Sequence, residues 1–274
     1  DDIPGAAIYY RKIVDSDGAE PEFRLDTRLT LGQFYAAMEK YEMAIEQYEI
    51  WAEAAFVVGA QERLTMAQLY YQLERKDDSL RSVKLGISEA EAKGILPKES
   101  FWALGTALYN EKNQMDKVID YLEKLVTHYP KWKYWKQLGG MFGAQERMTD
   151  QLVAYEVIYL NGELTKESDV LAMAYMYLGA EVPYRAAKII EKGIKDKIVE
   201  KNFKHYDLLG KSWFLAQHIP QALSSYETAS KYSDNGEIQY LIGSTYLDLG
   251  QDMMAYKASL KAEKKGGIKK PNAN

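Results

Sequence analysis

The sequence predicts an all-α chain, a solenoid of helix-turn-helix repeats running along nearly all of its 274 residues. Three observations carry that reading. An apolar residue, a small residue and, three positions further on, a bulky and mostly aromatic residue recur seven times. The small anchors are Gly32, Ala67, Gly105, Gly139, Ala174, Gly210 and Gly243, at spacings of 35, 38, 34, 35, 36 and 33 residues. A second small residue follows most anchors by twelve positions, at Ala44, Ser79, Ala186, Ala222 and Ala255. The apolar–polar alternation that marks a strand is absent throughout.

Taken in order, residues 1–24 read as a second helix without its first, plus a linker. Asp2-Ile3-Pro4-Gly5-Ala6-Ala7-Ile8-Tyr9-Tyr10 parallels Lys40-Tyr41-Glu42-Met43-Ala44-Ile45-Glu46-Gln47-Tyr48. Seven helix pairs then follow within one solenoid domain, 25–268, at 25–59, 60–97, 98–131, 132–166, 167–202, 203–235 and 236–268. The bulky residues three past the anchors are Tyr35, Tyr70, Leu108, Phe142, Tyr177, Trp213 and Tyr246. On the second helices the large residues are Tyr48, Val83, Leu122, Tyr155, Ile190 and Tyr226, with Ser259 as the exception. Spacings of three and four place each set on one helical face. Small residues let two helix backbones approach, and the bulky ones fill the neighbouring gaps. In the third unit a one-residue insertion puts Val118 in the small residue's place, and Gln151 breaks the rule in the fourth.

Short polar turns join the helices within a pair, as at Glu39-Lys40-Tyr41 and Glu74-Arg75-Lys76-Asp77. Longer turns between pairs carry Tyr129-Pro130, Asn161-Gly162 and Ser233-Asp234-Asn235-Gly236. Pro183 and Pro220 open second helices, where the missing N–H costs nothing. Residues 269–274 read as a tail. The two ends are expected to belong to a longer array, because terminal solenoid repeats normally carry a polar outer face.

Composition removes several function classes. With 47% apolar residues and a net charge of −5, the chain is not a disordered one. The acidic balance, 35 Lys and Arg against 40 Asp and Glu, speaks against a nucleic-acid partner. Without cysteine there is no disulfide, thiolate nucleophile or Cys-bound zinc. The longest apolar run, 54–60, is too short to span a bilayer, so no membrane insertion is expected. Asp1-Asp2-Ile3-Pro4 lacks the basic start and apolar core of a signal peptide.

Catalytic motifs are missing as well. His128, His205 and His218 fall in three different units without metal-ligand spacing, so neither a metal nor any other cofactor is expected. Gly139-Gly140-Met141-Phe142-Gly143 is glycine-dense but lacks the Lys-Ser/Thr of a phosphate loop, and its position points to close helix packing. The basic run at 261–270 reads as solvated. The chain is expected to be a non-enzyme.

These repeats resemble the tetratricopeptide repeat (TPR), whose units are helix pairs of about 34 residues. The resemblance implies a right-handed α-solenoid whose first helices line a concave groove. Residues three before and one, four and five after each anchor are assigned to that groove. The candidate partner-binding set is Gln68, Tyr71, Gln72, Trp102, Thr106, Tyr109, Asn110, Lys136, Tyr175, Asp207, Lys211, Phe214 and Tyr240. Aromatics supply much of the contact energy at interfaces, and amides or hydroxyls can take a peptide backbone. Burial of some of these rings between neighbouring helices is the competing reading. Asn110 and Lys136 do not complete the Lys and Asn set with which one TPR subtype clamps a partner's terminal carboxylate.

Several strings are similar to one group of bacterial TPR proteins, those associated with TonB energy-transduction systems of Gram-negative bacteria. They are Leu164-Thr165-Lys166-Glu167-Ser168, Val182-Pro183-Tyr184-Arg185-Ala186-Ala187-Lys188-Ile189-Ile190-Glu191-Lys192-Gly193-Ile194 and Val199-Glu200-Lys201-Asn202. Trp213-Phe214-Leu215-Ala216-Gln217 and Lys265-Gly266-Gly267-Ile268-Lys269-Lys270-Pro271 extend the set. This resemblance implies a periplasmic accessory that binds a protein or peptide of a TonB system. The alternatives are a generic TPR assembly module, with the cytoplasm as its compartment, that stacks end to end with itself, and a carbohydrate groove built on the aromatics.

Overall fold

The computed structural model describes residues 2–267. Among them fifteen α-helices and one turn of 3₁₀ helix, Ser230–Tyr232, form a solenoid of helical repeats, and there is no strand. Helix α1 (Ile3–Val14) starts where the Asp2 carboxylate accepts the Gly5 amide at 2.9 Å. Seven pairs follow it: α2 (Pro21–Ala37) with α3 (Tyr41–Ala54), α4 (Ala60–Gln72) with α5 (Lys76–Ala92), and α6 (Glu99–Glu111) with α7 (Met115–His128). The next are α8 (Trp132–Ala144) with α9 (Met148–Leu160), α10 (Glu167–Gly179) with α11 (Pro183–Lys195), α12 (Phe203–Leu215) with α13 (Ile219–Ala229), and α14 (Glu237–Asp248) with α15 (Asp252–Lys265). Helix α2 begins at Pro21, ahead of the position 25 read from the repeat, because proline's fixed φ suits the first helical position. The tail expected at 269–274, and the end of the Lys265–Pro271 string, lie outside the described residues.

Every turn within a pair uses one left-handed residue. They are Glu39, Glu74, Asn113, Glu146, Glu181, Gln217 and Gly250, with φ between 55° and 67°. The amide of the next residue returns to a carbonyl near the end of the first helix. Lys40 bonds Tyr35 at 2.9 Å, Arg75 bonds Tyr70 at 2.9 Å, Val182 bonds Tyr177 at 2.8 Å and Gln251 bonds Tyr246 at 2.9 Å. This six-to-one bond is the Schellman cap. The aromatic three past the anchor thus supplies both a packing ring and the carbonyl that ends the helix.

All seven anchors are buried. A Cβ on Gly32 would lie 2.9 Å from Tyr48, and one on Gly210 would lie 2.4 Å from Tyr226, so the ring sixteen past the anchor sits on its bare backbone. In the third pair Val118 and Leu122 are buried, and it is Tyr121, again sixteen past the anchor, rather than Leu122, that covers Gly105, where a Cβ would lie 2.2 Å from the ring. Gln151, the exception in the fourth pair, is accommodated by Gly143, whose Cβ would meet its amide at 2.4 Å.

The chain forms two compact units, Asp1–Met141 and Phe142–Asn274, with the division inside α8. In the first, Ala7 and Val14 of α1 share one core with Leu31, Tyr35, Ala44, Ile45, Tyr48, Met66, Leu69 and Tyr70. In the second, Ala186, Ile190, Ala222 and Tyr226 are fully buried between successive helices.

Candidate functional site

Side chains on α6, α7 and α8 of the first unit enclose a cleft of about 520 Å³. Its size falls within the roughly 300–1,000 Å³ usual for ligand pockets. Val118, Leu122 and Leu125 of α7 are buried and form its floor. Ala103, Thr106, Ala107 and Asn110 of α6 form one wall, and Lys133, Tyr134, Gln137, Gly140 and Met141 of α8 form the other. The opening exists because Ala103, Ala107 and Gly140 are small. Gly140 is exposed, and a Cβ placed on it meets nothing within 4 Å. Of the glycine-dense stretch, Gly139 is buried and Gly143 packs on Gln151, whereas Gly140 keeps the cleft open.

One end of the cleft is held by Glu99. It accepts the Tyr134 hydroxyl and the Lys131 ammonium, the latter at 2.5 Å, and lies 3.9 Å from Lys133. Lys131, then Tyr134, holds the Glu99 carboxyl below the usual carboxylate range. Burial, then Glu99, pushes the Tyr134 phenol up to about 12, so it stays a neutral donor. The Lys133 ammonium lies 4.6 Å from the Tyr134 ring centroid. The cleft therefore offers amides from Asn110 and Gln137, an ammonium from Lys133 and an apolar floor. Its lining includes no carboxylate and no imidazole.

Of the residues assigned to a groove, Thr106 and Asn110 reach this cleft. The Thr106 hydroxyl donates its proton to the Trp102 carbonyl at 2.8 Å. Gln68, Gln72 and Asn110 are exposed on the first unit, and Tyr175 and Lys211 on the second. Lys211 pairs with Asp207 at 2.6 Å. Tyr71, Lys136, Asp207 and Phe214 are half-buried. The Tyr71 hydroxyl donates to Glu111 at 2.8 Å; that bond, then burial, raises its pKa.

Trp102 and Tyr109 correct the expected aromatic track. They are 6% and 4% exposed, edge-on to Tyr121 at centroid distances of 5.0 and 5.1 Å. The reason is angular. At about 100° per residue, positions three before and four after an anchor lie only some 40–60° from it, on the packing side. Positions one and five after lie about 100–140° away, facing outward. Trp102, Tyr109, Tyr71, Lys136, Asp207 and Phe214 belong to the first class, and Gln68, Gln72, Thr106, Asn110, Tyr175 and Lys211 to the second. Tyr240 is a first-class position that is nonetheless 58% exposed. The wall residues Ala103, Ala107, Lys133 and Gln137 lie outside the positions assigned to the groove, and Gly140, one past its anchor, is absent from the candidate set, although the run of small residues on α6 and α8 was the available signal.

The histidines build no centre. His205 lies 2.8 Å from the Glu200 carbonyl, His218 packs on Tyr184 and Trp213, and His128 is exposed. Among the described residues no group of three His, Asp or Glu could hold a metal, and no helix is long and apolar enough to cross a membrane.

No protein-family model matches the sequence, and no curated protein matches it. Solved structures do resemble the fold. One chain of a Naa15/Naa10 structure bound to HypK-THB superposes with a TM-score of 0.57 at 13% identity, over 87% of this chain and 36% of that one. A tetratricopeptide repeat protein from Parabacteroides merdae gives 0.47 at 13% identity, over 89% and 94% of the two chains. The TPR2AB domain of yeast Sti1, in a complex with pHSP90, gives 0.44 at 14% identity, over 88% and 90%. The likeness is one of fold, a TPR-like solenoid.

Proposed function

We propose that this chain is a non-catalytic TPR-like scaffold that takes an extended peptide segment of a protein partner into the cleft between α6, α7 and α8. The cleft itself carries the reading: about 520 Å³, floored by buried aliphatics, with the amides of Asn110 and Gln137 on facing walls. Amides that both donate and accept can pair with a peptide backbone, and the floor takes one apolar side chain. Lys133 adds an attraction for a carboxylate. The Naa15/Naa10 chain of similar fold is itself described with a bound protein, HypK-THB.

The finer setting is a periplasmic accessory of a TonB-dependent uptake system. Its support is the set of turn and surface strings around 164–168, 182–194, 199–202, 213–217 and 265–271, which a helical repeat does not itself require. Calorimetric titration with the periplasmic domains of TonB and ExbD tests this setting. Saturable binding that Asn110→Ala/Gln137→Ala weakens supports both site and setting. Binding that ignores those substitutions removes the cleft, and no binding removes the TonB partner.

A further inference from the structure

The second unit holds a pocket of about 450 Å³ where α11, α12 and α13 meet the turn that follows α11. Buried Ile194 and Leu209 supply its apolar lining, and half-buried Tyr206 stacks on Tyr232 at a centroid distance of 5.8 Å. Lys195, Lys197 and Lys201 line it as well. Among the described residues none of these three ammonium groups has an ion pair or a hydrogen-bond acceptor. The Ser225 and Thr228 hydroxyls donate to the Gln221 and Ser224 carbonyls at 2.8 and 2.9 Å. Among the described residues the Ser224 and Tyr206 hydroxyls, also in the lining, have no such acceptor.

Lys197 lies two past the end of α11 in the left-handed region, at φ 62°. Its amide returns to the Ile194 carbonyl at 3.2 Å, and the next amide to Gly193 at 2.9 Å. Gly94 after α5 and Gly162 after α9 hold the same position with the same pair of bonds. Glycine enters this region freely, whereas a Cβ is strained there. Among the described residues the other non-glycine residues in this conformation are Glu, Asn or Gln, all in turns within pairs. Between pairs, then, a lysine stands where glycine would be easier, and it lines the pocket.

The carboxylates around the pocket are engaged elsewhere. Glu191, in the lining, pairs with Lys188 at 2.8 Å. Asp196 pairs with Lys192 and Asp207 with Lys211. Glu200 accepts the Asn202 amide at 3.3 Å, and Glu227 accepts the Tyr246 hydroxyl at 3.4 Å. Residues 183–232, which contain all three helices, carry nine Lys and Arg against these five Asp and Glu, in a chain that is acidic overall. A cleft lined by one sign of charge concentrates the opposite ion.

We propose that this pocket binds a small phosphate monoester. Lys195, Lys197 and Lys201 neutralise the phosphoryl group, Ser224 and Tyr206 donate to its oxygens, and Ile194 and Leu209 take the organic part. Lysine is a point charge that suits a phosphoryl group, and the lining has no arginine fork for a planar carboxylate. The volume is within the range of small-molecule sites. This pocket is separate from the α6–α8 cleft and does not rest on it.

Phenyl phosphate is the probe, titrated into the intact chain by calorimetry, with inorganic phosphate and benzoate as comparisons. Saturable binding is expected, weaker for inorganic phosphate, which lacks the apolar part, and weaker for benzoate. Lys197→Gly/Lys201→Ala should weaken phenyl phosphate about tenfold or more, as the loss of hydrogen bonds to a charged group requires, and flatten its salt dependence. Glycine keeps the left-handed turn, as at Gly94 and Gly162, so this variant should fold, and its melt checks that. Lys257→Ala/Lys261→Ala removes two exposed lysines elsewhere on the unit and should leave binding unchanged. Absence of saturable binding overturns the proposal, as does an equal loss in the two double variants or benzoate binding as tightly as phenyl phosphate. Binding of a phosphotyrosine peptide without binding of phenyl phosphate gives the site to a phosphorylated protein and overturns it as well.

Discussion

Tyr70 of α4 donates its hydroxyl to Glu49 of α3 at 3.0 Å, and Tyr177 of α10 does the same to Glu156 of α9 at 2.8 Å. In both units the tyrosine is three past its own anchor and the glutamate seventeen past the previous one. One ring thus packs its own helix pair, ends its own helix through its carbonyl, and fastens the pair to its predecessor. Arg75 joins the first clasp at 3.0 Å from Glu49.

Replacing Tyr70 by Phe keeps the ring and removes the hydroxyl. Glu49 retains Arg75, so the loss is that of one hydrogen bond to a charged acceptor, about 1–3 kcal/mol. Urea unfolding of Tyr70→Phe, Glu49→Gln and the double variant measures the coupling. Additive effects of the two changes would contradict the clasp.

The same rings set a behaviour in alkali. Burial, then the glutamate hydrogen bond, pushes Tyr70, Tyr134 and Tyr177 each up to about 12, from 10.0 in the unfolded chain. Below the unfolded value all three are protonated in both states, and their contribution is complete. Between that value and about 12 the unfolded chain releases its protons first, so stability falls as pH rises. Denaturant midpoints should decline through this window, and Tyr70→Phe/Tyr177→Phe should flatten the decline.

Two helical glycines should respond in opposite ways. Gly105→Ala drives a methyl into Tyr121, which is wedged between Trp102 and Tyr109, and should cost about 1–3 kcal/mol. Gly140→Ala meets open space and removes a helix-interior glycine, for a gain of about 0.5–1 kcal/mol. Thermal melts compare them directly. Destabilisation by Gly140→Ala would mean the cleft wall is packed after all.

The left-handed turn residues give a third comparison. Gly250→Ala puts a side chain at φ 67° and should cost about 1–2 kcal/mol. Glu181→Gly relieves the same strain but frees the unfolded chain, at about 0.4–1 kcal/mol, so it should be neutral to mildly stabilising. Chemical denaturation of both variants checks the signs.

The repeat was legible because its demands are local. An anchor such as Gly210 must be small for Tyr226 to lie on it, and that need repeats with the period. Helix ends were legible for the same reason, at Pro183 and near the turn of Glu74. The cleft was not, because it depends on what is missing: Ala103, Ala107 and Gly140 leave a space that no pattern requires. Trp102 and Tyr109 read as groove residues when one helical face was taken too broadly. Their burial is decided by Tyr121, a ring sixteen past Gly105 as Tyr48 and Tyr226 are past their anchors, which the reading of a one-residue insertion passes over in favour of Leu122.

The cleft is the central claim, and Gly140→Leu tests it most directly. Gly140 lies in open space on a helix, so the variant should fold as the natural chain does. Peptides selected from a display library for binding the natural chain would be titrated against both proteins by calorimetry. A loss of about tenfold or more in the variant, with an unchanged melt, is the predicted result. Equal affinity for both proteins would contradict it and place the partner elsewhere on the repeats.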